Sequence, residues 1–139
     1  MFNRASISFL LLLAGTLIYA TCRQDAMFLM SVDSELLAKI KVEIDYADCN
    51  IFAYMALFSL PDALWYMALL VFQLGLCSEG LLAKIVFGAS IALPFVLEVL
   101  QKYGVMPGTF DWLDILIYSL TFTIFVLCQQ KRLKQLYLL

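Results

Sequence analysis

Long apolar runs broken by brief polar intervals dominate the chain. "SISFLLLLAGTLIYA" opens it at Ser6, "DALWYMALLVFQLGLC" follows from Asp62, "LLAKIVFGASIALPFVLEVL" from Leu81, and "DWLDILIYSLTFTIFVLC" from Asp111. With their flanking residues these runs approach or reach the about 17 to 25 residues a helix needs to cross a bilayer, the first lying near the lower limit. The pattern predicts an all-α, polytopic membrane protein with a single four-helix domain and spans near residues 5–21, 60–77, 81–103 and 111–128. Short hairpins join the last three spans, and one long polar loop, 22–59, separates the first two.

Local signals refine these elements. Ser59 can cap the second span, Pro61 suits its first turn, and Asp62 stands at capping-box spacing from Ser59. Pro94 removes one backbone donor from the third span, which should kink and free the carbonyl of Ser90. "SEG" and "GVMPG" form the two turns, and "QQKRLKQLYLL" is a basic amphipathic tail. The loop is ambiguous: "KIKVEIDY" alternates as a strand would, whereas "SELLAKIKVEI" sets Leu36, Leu37, Ile40 and Ile44 on one helical face. Either form leaves an oily face that can lie on the membrane surface. The first run also has the length and flanks of a signal peptide. Thr21 before Cys22 makes a poor processing site, so a retained first helix is expected.

Composition agrees with a bilayer setting. The chain is 64% hydrophobic and 14% charged, against about 25% charged for soluble domains, and its mean hydropathy is +0.93. Net charge is −2 and there is no histidine. No basic stripe is present for nucleic acid, and no imidazole for proton transfer or metal ligation. No cofactor is expected. The four cysteines, at 22, 49, 77 and 128, lack zinc or redox spacing and read as small buried residues; Cys22 and Cys49 would share one side and could pair in an oxidising compartment. Counting basic flanks puts Arg4, Lys84, Lys131, Arg132 and Lys134 on one side and Arg23, Lys39, Lys41 and Lys102 on the other. The cluster in the tail, set against the acidic loop, predicts both termini in the cytoplasm of a cell with the chain in its inner membrane.

An alternating topology brings Asp62, Glu98, Gln101, Asp111 and Asp114 to one membrane face, the predicted outer one. With span three centred near Ala92, Glu98 lies about 9 Å from the midplane, inside a hydrocarbon half-thickness of about 15 Å. An ionised carboxylate at such a depth is costly, so it should face the bundle or a wet cavity. Asp111 and Asp114 have a structural explanation as a capping box at the start of span four, and Asp62 has a similar one. Glu98 sits near the negative end of its helix, where the dipole disfavours it, and its local partner would be Lys102 four residues on.

"LPDALW" opening span two, "LEVLQ" ending span three and "GTFDWLD" opening span four together resemble the VanZ-like family of small bacterial membrane proteins, over Leu60 to Phe125. The resemblance implies a four-helix integral protein of the cell envelope, with a link through the family's namesake to resistance against teicoplanin. It places the family's E-x-x-Q pair at Glu98 and Gln101 and its paired aspartates at Asp111 and Asp114. Gly108 stands where many members have an arginine, and Tyr118 where they have an asparagine, which argues against an anion-binding role for this face.

Three functions compete. The first is a non-enzymatic envelope protein whose acidic pocket near the outer face engages a lipid head group, a glycopeptide or another membrane protein. The second is an intramembrane hydrolase or transferase using Glu98 and Asp114 as paired carboxylates, with a divalent metal on Glu98, Asp111 and Asp114 as its most credible form. The third is an accessory subunit of a larger membrane complex.

Overall fold

The computed structural model describes residues 3–22, 58–76 and 80–137, with side chains to Lys134. Four helices form in chain order: α1 (Arg4–Cys22), α2 (Leu60–Leu76), α3 (Leu81–Lys102) and α4 (Trp112–Tyr137). No strand occurs among the described residues. The strand-or-helix question at 34–46, most of the "SEG" turn and the Cys22–Cys49 pairing all fall outside them. α1, α3 and α4 are long and apolar enough to cross a membrane. α2, with 17 residues, is apolar but shorter, about 25 Å against a hydrocarbon thickness of about 30 Å.

The helices pack in alternating directions. α1 lies against α2 through Gly15, where a Cβ would stand 2.8 Å from the Trp65 ring and 3.1 Å from the Pro61 carbonyl. Only glycine lets the indole lie so close. Trp65 Nε1 then donates to Thr16 Oγ1 at 3.3 Å, and its ring meets Tyr19 at 5.2 Å. At the far end of the pair, the stem of Arg4 passes Gly75. The core lies between α2, α3 and α4 and consists of Tyr66, Leu70, Val71, Leu74, Phe87 and Phe125. Most other large apolar side chains, such as Phe9, Leu82 and Leu127, face outward. That inversion of the soluble pattern suits lipid as the solvent.

Polar groups within the helices find local partners. The hydroxyls of Thr16, Ser119 and Thr123 each donate to the carbonyl four residues earlier, at 2.8 to 2.9 Å. α3 runs continuously through Pro94. Ser90, whose carbonyl loses its donor to that proline, turns its own hydroxyl to Val86, while Tyr66 Oη donates to the adjacent Ile91 carbonyl at 2.9 Å. The proline turn is thereby tied to α2.

α4 extends nine residues past the expected end of its span, through the basic tail to Tyr137. Gln, Lys, Arg and Leu are all good helix formers, and no glycine or proline interrupts them, so the helix continues after its apolar run is finished.

Candidate functional site

At the end of the bundle where α2 begins, α3 ends and α4 begins, a cavity of about 460 Å³ opens. Asp62 enters it from the first turn of α2, Glu98 and Gln101 from the last turns of α3, and Asp111 and Asp114 from the start of α4. The five residues singled out from sequence thus line one space. The described cavity wall carries no lysine or arginine.

Glu98 is the most buried of the five, with 4% of its surface exposed. Its Oε2 accepts the backbone N–H of Asp111 at 3.3 Å. The side chain of Asp111, through Oδ1, accepts the N–H of Leu113 at 2.9 Å and so caps α4. Asp111 therefore is the N-cap that its position after Pro-Gly predicted. The other half of the capping box departs from expectation. In that motif the residue three positions on, Asp114, would take the cap residue's own N–H; here Glu98 takes it from across the hairpin. The reason is geometric: the 104–110 turn brings the end of α3 alongside the first turn of α4, and Glu98 reaches the donor there.

Lys102 also departs from expectation. Its ammonium lies over Phe110 at 5.0 Å and over Trp112 at 5.3 Å, measured to the ring centroids. Aromatic faces attract a cation electrostatically and let its charge stay at the water boundary. Glu98 is left without a lysine or arginine partner among the described residues.

Gln101 owes its position to Gly108. That glycine has φ +131°, and a Cβ on it would fall 2.7 Å from Gln101 Nε2. The bare backbone lets the carboxamide lie flat against the turn at the cavity's edge.

Phe58, Thr109 and Leu113, which the sequence did not single out, join the wall with Ser59, and Tyr118, noted from sequence only for its departure from the family pattern, forms part of it deeper down. Tyr118 was open to inference, because it follows Asp114 by four positions and so shares its helix face. Its ring meets Tyr66 at 5.6 Å and Phe95 at 6.1 Å, both edge to face, and Tyr66 meets Phe95 at 6.4 Å. These three rings close the cavity from the apolar core.

The chemistry that the described wall offers is that of hydrogen-bond acceptors, the carboxylates of Asp62, Glu98, Asp111 and Asp114 with the carboxamide oxygen of Gln101. No group of three acidic or cysteine side chains among the described residues is arranged to hold a metal ion, so the Glu98, Asp111 and Asp114 set does not form a metal centre here. Asp111 directs an oxygen at its own helix instead. The chain matches no family model, no curated protein and no solved structure.

Proposed function

We propose that this chain is a four-span, VanZ-like protein of the bacterial inner membrane, with both termini cytoplasmic and the acidic cavity at the outer face. In this reading it is not an enzyme. It binds, through Glu98 and Gln101, a cationic or donor-rich group such as the ammonium of a lipid head group, of a glycopeptide or of a neighbouring membrane protein. The observation that carries the reading is the burial of Glu98 in a cavity that offers it a backbone N–H but no lysine or arginine among the described residues. A buried carboxylate calls for a compensating donor, and a ligand amine would supply one.

Other features agree. Arg4 and Arg132 line a common cavity, so the start of α1 and the distal part of α4 lie at one end of the bundle, as an even number of crossings requires. α2 runs alongside the long α1 over most of its length, from Pro61 against Gly15 to Gly75 against Arg4. The acid/base reading has less to stand on, because no activated nucleophile or metal set accompanies the carboxylates among the described residues.

The test is teicoplanin susceptibility of cells expressing the wild-type chain, Glu98→Gln or Asp114→Asn, with membrane insertion checked by immunoblot. Protection by the wild type that is lost in both variants supports the reading. Equal protection by all three removes the cavity from the function, and no protection by any removes the glycopeptide link. Thiol labelling from outside the cell should fail at Cys128; labelling there reverses the orientation.

A further inference from the structure

At the opposite end of the bundle the sequence offered only basic residues to be counted for topology, yet the structure builds a second cavity there. It measures about 550 Å³ and is lined by Arg4 at the start of α1, Phe72, Gly75 and Leu76 at the end of α2, and Arg132 on α4. The two arginines are 128 positions apart in sequence, and their like charges repel each other across the cavity. Neither has an acidic partner among the described residues. This cavity adjoins an apolar groove of about 400 Å³ between α1 and α2, the two sharing Ala5 and Phe72. Leu12, Trp65 and Leu69 continue the groove toward the middle of the bundle.

Among the described residues, two buried side-chain polar atoms lack any hydrogen-bond partner: Arg4 Nη1 and Ser8 Oγ. They stand one helical turn apart on the same face of α1, one in the basic cavity and the other in the groove. Ser8 is only 6% exposed, so water does not satisfy its hydroxyl. Orphaned buried polar atoms are uncommon and each asks for an explanation. Their arrangement here is amphipathic: two guanidiniums, then a lone hydroxyl, then a strip of apolar wall.

We propose that this continuous recess is a binding site for one anionic phospholipid. Its phosphodiester lies between Arg4 and Arg132, its glycerol ester region at Ser8, and an acyl chain along Leu12, Trp65 and Leu69. Guanidiniums match phosphate oxygens in geometry and relieve their mutual repulsion by sharing one anion. Basic pockets between membrane helices are where anionic head groups are held. A free phosphate would satisfy the arginines but leave Ser8 and the groove unused. The site is separate from the acidic cavity, being about 20 Å away along α2, from Asp62 to Gly75.

Trp65 in the groove provides the readout. The full chain carrying Trp112→Phe, which leaves Trp65 as its one tryptophan, is reconstituted in phosphatidylcholine vesicles. Dibrominated phosphatidylglycerol or dibrominated phosphatidylcholine is then titrated in, and Trp65 quenching is measured. The expected result is quenching at a clearly lower mole fraction of the anionic lipid. That preference should fall about fivefold on Arg4→Gln and on Arg132→Gln, and persist in Arg4→Lys. Far-UV circular dichroism verifies the helices of each variant. Arg132, half-buried on the far part of α4, carries the test alone if Arg4→Gln fails to fold. Equal quenching by the two lipids overturns the proposal, as does a preference that survives both glutamine substitutions. Loss of the preference on adding millimolar inorganic phosphate at constant ionic strength would assign the site to free phosphate instead.

Discussion

The bond from Asp111 N–H to Glu98 can be tested by separating its hydrogen bond from its charge. Glu98→Gln keeps an acceptor oxygen at the same reach and removes the charge, while Glu98→Leu keeps the approximate volume and removes the acceptor. With Leu, the Asp111 N–H loses its partner beside a buried side chain, which costs about 1–3 kcal/mol when no water replaces the acceptor. The 3.3 Å separation and the proximity of the membrane surface place the effect in the lower part of that range. Hydrogen bonds between membrane helices average about 0.6 kcal/mol, which sets a floor. Glu98→Leu should therefore be less stable than Glu98→Gln by about 0.6–2 kcal/mol, roughly a three- to thirtyfold change in the folding equilibrium. Glu98→Gln itself should be at least as stable as wild type, since it no longer buries a charge. The assay is reversible unfolding in mixed micelles by rising dodecyl sulfate mole fraction, followed by far-UV circular dichroism and by Trp112 fluorescence at the start of α4. If the Leu and Gln variants unfold at the same mole fraction, the cap of α4 does not depend on α3.

Three further outcomes follow from the packing. Gly15→Ala puts a Cβ 2.8 Å from the Trp65 ring, so it should cost about 1–3 kcal/mol in the same assay, and Trp65→Ala should relieve most of that cost; full additivity of the pair would refute the close contact. Gly108→Ala, at φ +131°, should destabilise by about 1–3 kcal/mol, and adding Gln101→Ala should recover little, because the flexible carboxamide can yield but the backbone cannot. Tyr66→Phe removes the bond to the Ile91 carbonyl while keeping the ring stack, for a loss of about 0.5–1.5 kcal/mol; no loss would mean that the carbonyl beside the proline turn needs no second donor.

Much of this architecture was legible in the chain, and the parts that were not share a cause. Apolar runs located the helices, because lipid exposure imposes hydrophobicity over the whole length of a segment rather than on one face. Alternation of direction then placed Asp62, Glu98, Gln101, Asp111 and Asp114 at one end without any knowledge of packing. Local pairing rules, by contrast, misassigned partners. Asp111 and Asp114 have the spacing of a capping box, and Glu98 and Lys102 that of an ion pair within a helix, yet a contact across the hairpin displaces the first and two aromatic faces draw away the second. In each case a tertiary contact overrode a rule that holds for an isolated helix. α4 outruns the apolar segment because hydropathy marks where a span stops, and helix propensity decides where the helix does. The basic recess was invisible for a simpler reason: no local pattern relates Arg4 to Arg132.

The cap shared between α3 and α4 also has a consequence for synthesis. Glu98 leaves the ribosome thirteen residues ahead of the N–H that it will accept, so α3 alone would enter the bilayer with a carboxylate unserved and α4 alone with its first turn incomplete. Each segment is a poorer passenger than the pair. Delivery of the two as a closed hairpin would satisfy both groups at once, the Glu98 carboxylate by the Asp111 N–H and that N–H by the carboxylate.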